Sequence, residues 1–97
     1  MPETEETIDI ENAGNAVALR LLGATIVSVY IEGQANASYQ VDVRRNGGSW
    51  IQDVGDTYAA SPDADDVIET GVEELRVRCS SGSGGSGDQA TITIMAG

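Results

Sequence analysis

Carboxylates are the most abundant side chains in this sequence that could take part in chemistry, and they crowd into one stretch. Within it, Asp63, Asp65 and Asp66 offer the hard oxygen ligands that Ca²⁺ and Mg²⁺ prefer. The glycine and the closing glutamate that a calcium-binding loop requires are not at their positions, so a solvated acidic loop is favoured. We predict no metal and no other cofactor, with divalent-cation binding by residues 53–69 as the open alternative. The acidic stretch consists of Asp53, Asp56, Asp63, Asp65, Asp66 and Glu69.

Several common catalytic groups are absent from the sequence. There is no histidine and no lysine, which excludes histidine-based acid–base catalysis, nucleophilic triads, Schiff-base chemistry and the lysine of phosphate-binding loops. Cys79 is the single cysteine, and it shares a strand face with Leu75 and Val77, which predicts a small buried hydrophobic residue. We therefore predict that the protein is not an enzyme and has no catalytic residues. A small metal-dependent enzyme that uses the acidic stretch is a third-ranked alternative.

The aromatic residues offer a second kind of site. Carbohydrate-binding sandwiches stack sugars on flat aromatic faces beside carboxylates. Trp50 and Tyr58 lie close in sequence to Asp53 and Asp56, and these four residues make up a candidate glycan site. Because the chain has no phenylalanine, Trp50 and Tyr39 are also needed to fill the core, and this structural role is the favoured interpretation.

The cations of the chain are all arginines, which suit bidentate ion pairs at interfaces better than lysines do. Arg76 and Arg78 alternate with the apolar residues of their strand and must point away from the core. Their acidic partners lie either across the sheet or across a subunit contact, a choice that the sequence leaves open. We predict that Arg44, Arg45, Arg76 or Arg78 reaches an acidic residue of another subunit.

The balance of acidic and basic residues indicates the solvent in which the protein works more clearly than it indicates a biochemical activity. Sixteen acidic residues against five arginines give a formal charge of -11 over 97 residues, a density that makes a compact domain repel itself in dilute buffer. Salt of molar strength reduces the Debye length to about 3 Å, so the composition predicts a halophilic protein rather than an ordinary acidic domain. The same negative surface argues against nucleic acid as a partner, because nucleic-acid binding needs a basic footprint.

The N-terminal sequence predicts no secretion signal. Residues 1–6 are acidic where a signal peptide is basic, and no apolar segment follows them. No apolar stretch approaches the roughly 20 residues that a membrane helix requires. We therefore expect synthesis in the cytoplasm and no contact with a membrane. Residues 1–6 are predicted to form a flexible acidic arm, and residues 7–97 a single domain.

Alternating apolar and polar residues predict strands along most of the chain. Residues 46–48 form a turn, since Asn and Gly tolerate positive φ, and residues 80–88 form the flexible tip of a long hairpin. We predict an all-β fold, an antiparallel β-sandwich or jelly roll of seven or eight short strands. The predicted core comprises Ile10, Leu19, Val29, Val41, Val43, Leu75, Val77, Ile92 and Ile94.

Three segments together resemble a known class of proteins. They are ATIVSVYIEG from residue 24, YQVDVRRNGGSW from residue 39 and VEELRVRCSSGSGGSGDQATITIMAG from residue 72. This pattern of strands and turns resembles small β-sandwich proteins that decorate the virions and tails of tailed viruses. The acidic, lysine-free composition resembles those of haloarchaeal viruses.

The resemblance implies a non-enzymatic virion protein, made in the host cytoplasm, that serves as a capsid decoration, turret or tail accessory subunit. Its partners are then further copies of itself, in a homo-oligomer, and other virion proteins. No functional residues are carried over by the resemblance. The alternative function is a glycan-binding β-sandwich that recognises a halophilic cell surface through the candidate glycan site.

Overall fold

The computed structural model describes residues 2–33, 37–45, 47–59, 63–82 and 85–97. Over these ranges the chain forms eight strands and no helix. Runs of β-branched residues favour strands, and the glycines between them favour tight turns. The strands are β1 (Glu3–Asp9), β2 (Ala16–Arg20), β3 (Ile26–Gly33), β4 (Ser38–Arg44), β5 (Ile51–Ala59), β6 (Asp63–Glu69), β7 (Glu74–Ser81) and β8 (Gln89–Ala96).

The strands form two four-stranded sheets that pack face to face. Sheet 1 has the order β1-β8-β3-β6, and sheet 2 has the order β2-β7-β4-β5. Strands β1 and β8, β2 and β7, β3 and β6, and β4 and β5 pair antiparallel, as in one long hairpin that has been rolled up. This is the jelly-roll arrangement, and it confirms the all-β sandwich predicted from the sequence.

The core lies between the two sheets and is built from alternate residues of the strands. Val29, Val77 and Ile92 are among the side chains that are almost completely buried there. The structure confirms every residue of the predicted core, with Leu19 packed half-buried at the margin. Tyr39 is the largest fully buried side chain, which is the structural role that a chain without phenylalanine requires of it.

Residues 3–6 belong to strand β1, where a flexible arm was expected. Glu3 aligns with Met95 and Glu6 aligns with Ile92 in the antiparallel ladder between β1 and β8. The acidic side chains of β1 remain exposed, so the backbone can pair without removing their charges from water. Pairing of this kind depends on the backbone, and the local sequence carries little signal for it.

Two other segments differ from the expectation. Residues 63–69 form strand β6 at the edge of sheet 1, where an acidic loop was predicted, because an edge strand tolerates charged residues on its exposed side. Strands β7 and β8 belong to different sheets, so the connection between them crosses the sandwich and is not a hairpin tip. Residues 83–84 of that connection lie outside the described ranges.

The predicted turn at residues 46–48 joins β4 to β5 in an antiparallel hairpin. Gly47 has a φ of +75°, which favours glycine. The backbone N–H of Gly48 donates to the carbonyl oxygen of Arg45 at 2.8 Å. Asn46 lies outside the described residues. This hairpin sets the positions of Trp50 and of the residues that follow it in β5.

Candidate functional site

The outer face of sheet 2 carries a cluster of charged residues around a tryptophan. The alternation that buries Val41 and Val77 in the core turns Asp42, Arg76 and Arg78 to the outside. Strands β4 and β7 align these positions side by side, with Asp42 opposite Arg76. We name this group the Asp42 cluster, and it consists of Asp42, Arg44, Trp50, Asp53, Glu74, Arg76 and Arg78.

A bulge brings a third strand, β5, into the cluster. The register between β4 and β5 shifts between Val41 and Val43, which leaves one extra residue in β5. Asp53 lies in this bulge with a φ of +60°, a conformation that aspartate tolerates better than most residues. Its backbone N–H donates to Oδ1 of Asp42 at 3.1 Å.

Asp42 is a buried charge at the centre of the cluster, with 0% of its surface exposed. Nε of Arg76 donates to Asp42 Oδ2 at 2.7 Å, and Nε of Arg78 donates to the same oxygen at 2.9 Å. Nη2 of Arg78 lies 3.4 Å from Asp42 Oδ1 and donates to Asp53 Oδ1 at 2.6 Å. Both oxygens of Asp42 therefore have partners, as a buried carboxylate requires.

Arg44, Glu74 and Trp50 extend the cluster toward the β4–β5 turn. Nε of Arg44 donates to Glu74 Oε1 at 2.6 Å. The guanidinium carbons of Arg44 and Arg76 lie 4.5 Å and 4.4 Å from the centroid of the Trp50 ring, within the range of cation–π contacts. Trp50 thus packs half-buried on the outer face of sheet 2 and not in the core, where the sequence had favoured it.

The electrostatics of the Asp42 cluster suit a structural role. Burial disfavours the charged form of Asp42, but hydrogen bonds from Arg78 and Arg76 outweigh that effect and hold the pKa of Asp42 below its ordinary value. The hydrogen bond to Asp42 in turn raises the pKa of Arg78. Three arginines balance three acids, and both oxygens of Asp42 are occupied. The cluster therefore holds β4, β5 and β7 together and presents no general base or nucleophile at Asp42.

The two aromatic side chains of the candidate glycan site lie on different sides of sheet 2, because Trp50 is on the outer face and Tyr58 packs against the core. The arginine contacts cover at least one face of the Trp50 indole, and Asp53 is held by an ion pair within the Asp42 cluster. The Tyr58 hydroxyl donates to Asp66 Oδ2 at 2.6 Å and so ties the edge strands β5 and β6 together. The side chain of Asp56 lies outside the described part of the structure.

Most of the arginines that were predicted to reach another subunit have acidic partners in their own chain. Arg76 and Arg78 bind Asp42 across the sheet, and Arg44 is paired in the same way with a neighbouring strand. The sequence could not separate the two cases, because a partner on the next strand is visible only when the register is known. Arg45 is exposed and has no ion pair with a described residue, so contact with another subunit stays a prediction for Arg45.

Sheet 1 carries most of the unbalanced negative charge. Its four strands contain nine acidic residues and no arginine, whereas the strands of sheet 2 contain four acidic residues and four arginines. The sequence alone does not reveal this separation, because it depends on which strand joins which sheet. We call the outer surface of sheet 1 the acidic face. Its exposed carboxylates are Glu3, Glu5, Asp9, Glu32, Asp65 and Glu69.

The described residues contain no group of three or more His, Cys, Asp or Glu side chains that could hold a metal ion. Alternation within β6 places Asp65 and Asp66 on opposite sides of that strand, so they do not form the compact ligand set that the sequence suggested. The side chain of Asp63 lies beyond what the structure describes. In the same described ranges there is no helix long and apolar enough to cross a membrane.

Two further features are a buried thiol and a cavity, one of several that the described structure contains. Cys79 is buried, as predicted, and its thiol donates to the carbonyl oxygen of Ser81 at 3.4 Å. Burial raises the pKa of this thiol, which disfavours the reactive thiolate. A cavity of about 240 Å³ at one end of the sandwich is lined by Arg20, Leu22 and Glu73 together with small residues.

Comparison with known proteins shows a shared fold. The chain is similar in structure to YomS, a protein derived from the SPBc2 prophage, with a TM-score of 0.62 and 10% sequence identity. The match covers 98% of this chain and 95% of YomS, so the two proteins share the whole sandwich and not one part of it. No protein-family model matches the chain, and the search of curated proteins finds no significant match.

Proposed function

We propose that this chain is a non-enzymatic structural subunit of a virus particle, namely a capsid decoration, turret or tail accessory protein. The observation that carries the proposal is the whole-chain fold shared with a prophage-derived protein. A jelly roll of this size is a common building block of particle surfaces. The chain then acts by presenting its surfaces to other subunits.

The Asp42 cluster supports a structural role for sheet 2. Its three guanidinium groups and three carboxylates are bound to one another, so these charges are already paired within the chain. Such a network fixes the relative positions of three strands. A subunit that must keep its shape within an assembly benefits from that rigidity.

The unbalanced charge supports a halophilic virus as the source. A formal charge of -11 is concentrated on sheet 1, where no arginine offsets it, and the repulsion between these carboxylates weakens only when salt screens it. The proposal places the particle in a brine or a salt-rich cytoplasm.

We also propose that the chain forms a homo-oligomer. Sedimentation velocity in molar salt tests this part of the proposal. We expect one discrete oligomer. Arg45→Gln should weaken it, because Arg45 is an exposed cation without an ion pair to a described residue, whereas Arg45→Lys keeps the charge and should weaken it less. A protein that remains monomeric at every salt and protein concentration contradicts the homo-oligomeric part of the proposal.

A further inference from the structure

The acidic face carries an apolar patch at its centre. Ile26, Tyr30, Val67 and Met95 are exposed by 49%, 41%, 63% and 38% respectively. They are four of the six large hydrophobic side chains that the described structure leaves exposed. The patch therefore gathers most of the exposed large hydrophobic side chains of the described residues on one sheet.

Strand register makes these four side chains neighbours. Ser28 of β3 aligns with Met95 of β8 on one side and with Val67 of β6 on the other. Ile26 and Tyr30 lie two residues before and after Ser28, on the same outward side of β3. The four apolar side chains thus surround the small Ser28 and form one continuous surface across three strands. Contiguous apolar surface of this kind marks an interaction site more often than scattered exposed residues do.

Carboxylates border this patch, with no cation among them. Glu3 aligns with Met95, Glu69 aligns with Ile26, and Asp65 aligns with Tyr30. The strands of sheet 1 contain no arginine, so these carboxylates have no cationic partner on their own sheet. Salt screens their long-range repulsion, but it does not remove the cost of taking an unpaired carboxylate out of water.

We infer that the acidic face is the docking surface for a different protein, one whose contact surface has an apolar centre bordered by arginine or lysine. A second copy of this chain fits poorly, because a symmetric contact would bury carboxylates of both copies against each other. The outer face of sheet 2 fits poorly as well, because three of its arginines are already bound to Asp42, Asp53 and Glu74. The inference rests on the proposed function only in taking the protein to work through protein contacts, and the homo-oligomeric contacts then lie elsewhere.

A synthetic peptide in which arginine and leucine alternate is the probe for this surface. Its binding to the full chain is measured by fluorescence anisotropy, next to a peptide of alternating arginine and glycine that has the charge but not the apolar side chains. The variant Ile26→Thr/Val67→Thr removes two side chains of the patch and keeps β-branched residues in the strands. The matched control is Ile51→Thr on sheet 2, since Ile51 is exposed by 64%, about as much as Val67.

The inference predicts that Ile26→Thr/Val67→Thr weakens binding of the arginine–leucine peptide by about tenfold, while Ile51→Thr changes it by less than about twofold. Glu5→Gln/Asp65→Asn should weaken binding most at low salt. Equal binding of the arginine–glycine peptide, or an equal loss in the Ile51→Thr control, overturns the inference, because charge or general stickiness then accounts for the affinity. Self-association that depends on Val67 also overturns it, in favour of a second copy as the occupant.

Failure of this inference can be distinguished from failure of the proposed function. Incorporation into virus particles without selective peptide binding overturns this inference and leaves the proposed function standing. Selective peptide binding by a chain that never enters particles supports the docking surface and contradicts the virion assignment.

Discussion

Tyr39 shows at the scale of a single residue how this chain fills its core. The side chain is completely buried, and its hydroxyl has no hydrogen-bond partner among the described residues. Burial, with a smaller effect from the charge that Cys79 could carry, raises the pKa of Tyr39 to about 12. Tyrosine thus supplies the volume that phenylalanine would supply elsewhere, at the cost of an unsatisfied polar atom.

We expect Tyr39→Phe to raise the free energy of unfolding by about 1 kcal/mol, because it removes a buried hydroxyl that has no partner. Tyr58→Phe is the matched control, and it should lower the free energy of unfolding by about 1 kcal/mol, since the Tyr58 hydroxyl donates a hydrogen bond to Asp66. Urea denaturation in molar salt measures both. A loss of stability in Tyr39→Phe would show that the hydroxyl has a partner.

Asp42 accepts hydrogen bonds from two arginines on the outer face of sheet 2, so we expect its loss to destabilise the protein. Asp42→Asn removes the charge from a fully buried position that faces two guanidinium groups, and we expect it to lower the free energy of unfolding by about 3 kcal/mol. Asp53→Asn is the control, because Asp53 is 61% exposed in its ion pair and should lose less than about 1 kcal/mol. Equal losses in the two variants would contradict the central place given to Asp42.

The pH dependence of stability gives a second readout for Asp42. Its pKa is lower in the folded protein than in the unfolded chain, so its stabilising contribution is complete above the ordinary aspartate value of about 4. The contribution is lost as the pH falls through the lowered folded-state value. We therefore expect the stability difference between wild type and Asp42→Asn to shrink below about pH 4, in urea titrations across that range. A difference that stays constant into strong acid would argue against an ionised Asp42.

At the scale of the elements, the structure differs most clearly at strand β1 from what the sequence predicted. Deletion of residues 1–6 would remove a flexible arm at little cost if the expectation were right. In the structure it removes four of the seven aligned residue pairs between β1 and β8, and we expect a loss of about 3 kcal/mol or more in the free energy of unfolding. Glu3→Gln/Glu5→Gln keeps the strand and serves as the control, which should fold normally. A truncated protein as stable as the full chain would show that β1 is dispensable.

The sequence was sufficient to predict the strands in which apolar and polar residues alternate. Strands β3, β4, β7 and β8 were found because one face of each is apolar, and their inward residues form the core that was predicted. Strand β6 was missed because aspartate disfavours strands and β6 has an exposed outer side. Its place is fixed by pairing with β3, a long-range contact that no local pattern records.

The sequence predicted on which side of the sheet the arginines of the candidate site lie, but it did not predict which residues they contact. The alternation along β7 showed that Arg76 and Arg78 point away from the core. Their common partner, Asp42, lies 34 and 36 positions away along the chain, so the pair could be found only from the alignment of β4 with β7. The bulge that brings Asp53 to this group likewise has no signal in the sequence.

For the whole molecule, we expect the separation of charge between the sheets to determine the response to salt. Repulsion within sheet 1 opposes folding in dilute buffer, so we expect the melting temperature to rise with salt into the molar range. Asp65→Asn, on the acidic face, should reduce this salt dependence more than Glu73→Gln, because Glu73 lies outside that face and lines the same cavity as Arg20. Thermal melts that are the same in dilute buffer and in molar salt would contradict the proposal of a halophilic protein.

The proposed role as a structural component of a virus particle can be tested on purified particles. Particles released by cells that carry the gene can be purified on a density gradient in molar salt, and the chain can be quantified in each fraction by mass spectrometry and located by antibody labelling in electron micrographs. We expect the chain to travel with intact particles in a fixed ratio to their major protein and to be labelled on their surface. Recovery of the chain only with soluble protein, in particular as a monomer that binds a sugar through Trp50 or Tyr58, would contradict the account.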